Sequence, residues 1–234
     1  MIKVMDLKKK FSLYPVLEGI NLDIALGEFV VIMGDSGSGK TTFLNCLSGI
    51  ESPSSGKVFI NNREINALTN QQKQELRLLE IGFIFQDHSL INNLTLLENV
   101  ALSRLQYDKD AMSKAIDFLT KIGIDHIKDH YPTQVSGGEK QRAAIARALI
   151  NEPDFIFADE PTASINKKMA TEIMEILKSL NKDGQTILLV THSHSIAAYG
   201  NRLLLLDDGK FREDVLLGDD ISENLRTIAR LGGM

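Results

Sequence analysis

The sequence has no tryptophan and one cysteine, Cys46, among 234 residues. A single thiol cannot close an internal disulfide, and beside only five histidines it makes a poor ligand set for structural zinc. A reducing compartment is therefore expected. Long apolar runs are also missing. None approaches the ~18–20 residues that span a bilayer, and the opening stretch MIKVMDLKKKFSLYP lacks the apolar segment of a signal peptide. The chain is expected in the cytoplasm, with any membrane role coming through a partner. There is no excess of positive charge: 26 Lys and Arg against 31 Asp and Glu give a net charge of -5. That argues against a broad nucleic-acid-binding surface, though not against a local anion site. What is present is ordinary for a soluble globular protein, 43% apolar and 24% charged residues, in a length that suits one large α/β domain over residues 1–234.

Short runs rich in Val, Ile and Phe predict strands at Val16–Ile24, Phe29–Met33, Lys57–Ile60, Ile81–Phe85, Phe155–Ala158, Thr186–Val190 and Arg202–Leu206. Helical spacing appears between several of them, at Met112, Ala115, Ile116 and Leu119, and again at Ile173, Ile176, Leu177 and Leu180. Alternating strands and helices imply a mostly parallel central sheet. The segment between Phe85 and Phe155 has helical patterns and no strand, which predicts an inserted helical subdomain at about 87–152. The first 65 or so residues read as a small antiparallel β subdomain. Lys8-Lys9-Lys10 reads as a solvated turn.

Gly34-Asp35-Ser36-Gly37-Ser38-Gly39-Lys40-Thr41 matches the phosphate-binding pattern G-x-x-x-x-G-K-[ST]. It lies after an apolar strand and before the helical run that begins at Thr42, the context this pattern requires. Glycines let the backbone wrap around phosphate oxygens, N–H groups and the helix N-terminus supply positive potential, Lys40 adds a full charge, and the Thr41 hydroxyl suits Mg²⁺. The apolar run Phe155–Ala158 ends in Asp159-Glu160, and the carboxyl end of a parallel strand is where such sheets bind ligands. Asp159 would join the Mg²⁺ shell and Glu160 would polarise the water that attacks a γ-phosphate. Ser136-Gly137-Gly138-Glu139 carries an S-x-x-E capping box. The paired glycines exceed what a cap needs, and they leave a bare helix N-terminus for a phosphate.

In these motifs the chain resembles the ATP-binding subunit of an ABC transporter over essentially its whole length. Gly34–Thr41 is similar to the Walker A motif, Val135–Glu139 to the LSGGQ signature, Phe155–Glu160 to Walker B with its catalytic glutamate, Gln86 to the Q-loop glutamine and His192 to the switch histidine. Glu139 with Gln141-Arg142, and the run Phe83-Ile84-Phe85-Gln86, look most like the subclass serving lipoprotein release, macrolide efflux and antimicrobial-peptide export or resistance. The resemblance implies a P-loop NTPase fold, hydrolysis of ATP with Mg²⁺, a separate transmembrane permease, and a head-to-tail homodimer on ATP binding. In that dimer Ser136, Gly137, Gly138 and Glu139 act on the partner subunit's nucleotide. Gln86 would link Mg²⁺ and the attacking water to the helical insertion, and His192 would contact the γ-phosphate. Phe11 stands where the family stacks an aromatic ring on adenine, with Tyr14 as its competitor.

The pattern is not followed everywhere. Asn166 stands where Asp is usual, although Asn still caps a following helix. Ser193 replaces an acid after His192, and Val135 and Glu139 replace Leu and Gln. Leu90 and Ile91, just past Gln86, either fill the core of the insertion or belong to a groove for a short helix of the membrane partner. Within the family an alternative is transmission of force to an envelope or division complex, and a second is a soluble ATPase outside transport. A P-loop GTPase is disfavoured, because the chain has no N-K-x-D motif.

Overall fold

The computed structural model describes residues 1–231; the last three residues of the expected 1–234 domain lie outside the described residues. In chain order the elements are β1 (Ile2–Phe11), β2 (Tyr14–Ile24), β3 (Phe29–Met33), α1 (Lys40–Leu47), β4 (Ser55–Ile60), β5 (Arg63–Glu64), α2 (Asn70–Leu79), β6 (Ile81–Ile84), α3 (Leu96–Ala101), α4 (Ala111–Ile122), α5 (Gly137–Leu149), β7 (Phe155–Asp159), α6 (Lys167–Lys182), β8 (Thr186–Thr191), α7 (His194–Ala197), β9 (Arg202–Asp207), β10 (Lys210–Leu216) and α8 (Ile221–Leu231). Contacts divide them into two compact units, Met1–Glu75 with Lys178 onward, and Leu76–Leu177. Among the described residues no helix is long and apolar enough to cross a membrane.

The first unit holds two sheets. In one, β3 runs parallel to both β8 and β9, and β10 closes the edge antiparallel to β9. Every residue of β3 and of β8 is buried, as befits central parallel strands covered on both faces, and this is why their sequences are unbroken apolar runs. In the other sheet β2, β1, β4 and β5 pair antiparallel in that order.

Three strands went unrecognised, β1, β10 and the two-residue β5. β1 contains Lys8-Lys9-Lys10, so this run is a strand and not the solvated turn expected from its charge. The register slips between Val4 and Leu7, where Asp6 takes a φ of 46°. That bulge shifts the inward set from Ile2 and Val4 to Leu7 and Lys9, which hides the alternation. Lys9 thereby points inward. Its Nζ donates to Glu51 Oε2 at 2.7 Å and to the Ser52 carbonyl at 2.8 Å, and lies 4.5 Å from the centre of the Phe11 ring. β10 is a charged edge strand with no buried residue, so no apolar pattern announces it. Arg202 secures it by a paired contact to Asp214 at 2.7 and 2.8 Å. Its one legible signal is Asp208-Gly209, both at positive φ, a hairpin-turn dipeptide.

In the second unit β6 and β7 pair in parallel, while α3, α4 and α5 pack against one another. Thr95 caps α3 in a reciprocal box with Glu98. The apolar face of α4 is rotated from the expected one: Ala111, Ala115, Leu119 and Ile122 are buried, whereas Met112 and Ile116 are 38% and 37% exposed. Arg142 on α5 ties this unit together. It donates to the Ile122 carbonyl at the end of α4 and to Glu172 on α6, both at 2.7 Å.

Candidate functional site

In the first unit the register Met33↔Thr191 aligns the carboxyl ends of β3 and β8. The phosphate-binding loop and His192 therefore leave the sheet side by side. Gly34 begins the loop because nothing larger fits: a Cβ there would collide with the Leu206 carbonyl and the Ser38 hydroxyl. Gly39, the N-cap of α1, holds a φ of 104°, which side chains rarely adopt. It supplies no side-chain cap, so the first-turn amides of α1 keep their capacity for an anion. Lys40 is 8% exposed, and its Nζ donates to the carbonyls of Gly34 and Asp35, both at 2.8 Å. Ser38 Oγ is buried with no hydrogen-bond partner. A buried ammonium that draws the loop around itself, an orphaned hydroxyl and a helix start without a side-chain cap suit a bound phosphate chain. Asp35, Ser36, Gly37 and Thr41 are exposed along the loop and Thr42 is half-buried.

His192 is exposed just beyond β8, where the turn is held by the Ser193 amide donating to Thr191 Oγ1 at 3.1 Å. Phe11 and Tyr14 face each other across the β1–β2 hairpin, 46% and 79% exposed. Both side chains are thus exposed at the hairpin tip, with the Lys9 ammonium 4.5 Å from the centre of the Phe11 ring.

In the second unit the register Ile84↔Ala158 brings Gln86 and the pair Asp159-Glu160 off the same edge of the β6–β7 ribbon. Glu160 has a φ of 46°. A left-handed conformation at a non-glycine residue costs on the order of 1–3 kcal/mol and persists where the surroundings impose it, commonly at active sites. The Gln86 carbonyl accepts from Ser164 Oγ at 2.9 Å. Asn166 Oδ1 accepts from the Met169 amide at 3.0 Å, so the substituted residue does cap α6. Among the described residues no cluster of three or more His, Cys, Asp or Glu is positioned to hold a metal.

Ser136 caps α5 as its sequence indicates. The Glu139 carboxylate accepts from the Ser136 amide and hydroxyl, each at 2.7 Å, and these bonds hold its pKa below the usual carboxylate range. The two glycines after the cap differ. Gly137 has ordinary space, its Cβ position lying 3.5 Å from Ile165 and 3.6 Å from the Ser164 carbonyl. Gly138 is buried, and a Cβ there would come within 2.7 Å of Met169 Sδ. The Met169 side chain of α6 occupies that space and would have to move for any larger residue, a neighbour the sequence did not reveal.

Other residues of this site were not legible. Arg147, on α5, donates to the carbonyls of His88, at 2.8 Å, and Ser89, and so clamps the turn after Gln86. A lone arginine in the apolar run Ala143–Ile150 was the available signal. Beside this turn is a groove of about 340 Å³. Phe83, Phe85, Arg77 and Arg147 form part of its lining, and the two phenylalanine rings are stacked with centres 4.2 Å apart. Ile91 is 46% exposed and Leu90 half-buried; neither fills the core, and neither lines the groove.

Comparison with known proteins identifies the family. Residues 17–163 match the family model described as ABC transporter. The chain is 39% identical to the macrolide export ATP-binding/permease protein MacB of Campylobacter fetus, over 97% of its own length but 37% of that protein's. It therefore spans a little over a third of this relative. It is 40% identical to the lipoprotein-releasing system ATP-binding protein LolD of Xanthomonas campestris, over 85% of each chain. Its fold matches a dimeric, post-hydrolysis structure of the ATP-binding cassette MJ0796 of Methanocaldococcus jannaschii bound to ADP and Pi, with a TM-score of 0.87 and 38% identity, covering 93% of this chain and 99% of that one. By sequence and by fold, the chain belongs to the ABC transporter family, as its ATP-binding, ATP-hydrolysing cassette.

Proposed function

We propose that the chain drives a separate transmembrane permease that exports or releases a peptide, a lipoprotein or an antimicrobial compound, and that it works as a homodimer on the cytoplasmic face of the membrane. The observation that carries this reading is the match to a lipoprotein-releasing ATP-binding protein across 85% of both chains. The macrolide-export relative supports the same subclass.

In this reading Gly34–Thr42 cradle the phosphates, with Lys40 turning its ammonium from the loop carbonyls to the β- and γ-phosphates. Phe11, with Tyr14 as its rival, stacks on adenine. Thr41, Asp159 and Gln86 would hold Mg²⁺, which when bound neutralises charge on the phosphate oxygens. Glu160 orients a water and accepts its proton while the water oxygen bonds to the γ-phosphorus and the bond to the bridging oxygen breaks, releasing ADP. His192 donates to the γ-phosphate. Ser136, Gly137, Gly138 and Glu139 complete the partner subunit's site, with residues of about 87–152 forming the helical subdomain that carries them. The Phe83–Phe85 groove receives a short cytoplasmic helix of the permease, since a groove lined by stacked aromatic rings offers apolar surface to the apolar face of an amphipathic helix. No nucleic acid is involved.

Glu160→Gln tests the centre of this reading. It should leave ATP binding intact and slow hydrolysis by about 10²–10⁴-fold. Turnover at the wild-type rate would refute it.

A further inference from the structure

The β1–β2 hairpin ends in two exposed rings that are held differently. Lys9, two residues before Phe11 on β1, points inward and is 9% exposed. A lysine is rarely buried unless it is paired. Its ammonium carries three N–H donors. Two go to Glu51 Oε2 at 2.7 Å and to the Ser52 carbonyl at 2.8 Å, and the remaining neighbour is the Phe11 ring, over which the nitrogen sits 4.5 Å from the centre. Tyr14, 79% exposed, has no ring contact, cation or side-chain hydrogen bond among the described residues. The partners of Lys9 belong to the segment that follows α1, the helix that starts at Lys40. The Glu51 amide donates to the Asn45 carbonyl inside that helix at 3.0 Å. The Ser54 amide donates to the Lys8 carbonyl at 2.8 Å, and the Lys10 amide to Ser54 Oγ at 3.0 Å. The segment after α1 thus grips β1 on both sides of Lys9, and all of these residues lie within the first unit.

An ion pair with Glu51 would account for a buried lysine but would place no ring above it. A cation over an aromatic face is attracted by the negative π cloud, the more so when it is held out of water. It covers one face of the Phe11 ring and draws electron density toward itself. The opposite face becomes less negative and repels the π cloud of a stacked base less. Phe11 is 46% exposed, so a flat ligand can reach it. We infer that Lys9 is a positioning residue for the nucleotide base: its ammonium backs the Phe11 ring, which presents its other face to adenine, and ties that ring to α1. Base and phosphates are then held at a fixed separation, because the same helix begins at the phosphate-binding loop. This role rests on the reading above, in which an aromatic ring of the hairpin stacks on adenine, and it selects Phe11 over Tyr14, since only Phe11 is held.

The test measures, by calorimetry on the full chain, the affinity for Mg-ADP and for Mg-tripolyphosphate, a probe with phosphates and no base. Lys9→Met keeps the stem and removes the ammonium, and Glu51, whose side chain is 38% exposed, is then reached by water. This variant should bind Mg-ADP about fivefold more weakly and tripolyphosphate as wild type does. Lys9→Arg keeps a cation and should bind ADP within about twofold of wild type. Lys9→Gln keeps a donor without the charge and should show the same base-specific loss as Lys9→Met, which keeps the test decisive if the methionine variant does not fold. Phe11→Leu should weaken Mg-ADP about tenfold, and adding Lys9→Met to it should weaken binding no further, because the ring through which the ammonium acts is gone. Wild-type ADP affinity in Lys9→Met or Lys9→Gln, an equal loss for ADP and tripolyphosphate, or full additivity of the two substitutions would overturn the inference. An ADP affinity unchanged by Phe11→Leu would instead defeat the underlying reading that this ring stacks on adenine.

Discussion

Replacing Lys40 separates two tasks of one ammonium group. Without nucleotide, Nζ donates to two loop carbonyls at 2.8 Å and the side chain is 8% exposed. Hydrogen bonds from a charged donor contribute about 1.5–3 kcal/mol each. Here the Asp35 residue is exposed and Gly34 half-buried, so water recovers much of that when the lysine is removed, and Lys40→Ala should destabilise the chain by about 2 kcal/mol. A chain of this length loses roughly 2–4 °C of Tm per kcal/mol, which gives a fall of about 4–8 °C without nucleotide. The second task appears when nucleotide is added. ATP at about a hundred times its Kd stabilises the folded chain by about 2.7 kcal/mol, or roughly 5–11 °C, and this shift should vanish in Lys40→Ala. Lys40→Met keeps most of the stem, so it should lose the nucleotide shift in full and part of the intrinsic stability. Thermal melts of the three proteins with and without Mg-ATP decide the matter. An unchanged melting temperature without nucleotide would refute the organising role of the carbonyl contacts, and a surviving ATP shift would refute phosphate binding by Lys40.

Other outcomes follow from other parts of the chain. Mixing a Lys40→Ala subunit with a Ser136→Arg subunit, each inactive alone, should restore one working site per heterodimer; continued inactivity of heterodimers verified by mass would count against sites shared between subunits. Phe85→Asp should leave ATP turnover of the isolated chain near wild type and abolish co-purification with the permease, since the charge lands in the stacked floor of the groove. Thr95→Ala removes the cap of α3 and should cost about 1 kcal/mol in urea unfolding. Glu98, whose carboxylate is held below its ordinary pKa by the Thr95 amide and hydroxyl, adds a pH signature to the same cap. Its stabilising effect is complete above the unfolded value of about 4.5 and disappears as pH falls through the lower folded value, so Glu98→Gln should flatten the acid limb of the stability curve.

The features that the sequence determined by itself are those governed by neighbours a few residues apart. A chain reversal tight enough to wrap phosphate needs glycine at Gly34 and Gly39, and a helix start needs Ser136 with Glu139 three residues on. Strands covered on both faces need unbroken apolar runs such as Phe29–Met33 and the Ile187–Val190 stretch of the expected Thr186–Val190 strand. Each rule acts through local dihedrals, caps or periodicity, so it can be read in order along the chain. Tertiary structure alone decided what depends on which distant segments meet. One bulged residue turned Lys9 inward and hid β1, and β10 exists because β9 offers an edge, not because its own residues are apolar. The apolar stripe of α4 is set by what α3 and α5 present to it. Met169 fills the space beside Gly138, and Arg147, nearly sixty residues later, holds the carbonyls of the left-handed His88 and Ser89. Contacts of that kind have no spacing rule, since the distance along the chain between their partners is fixed only once the strands and helices have packed.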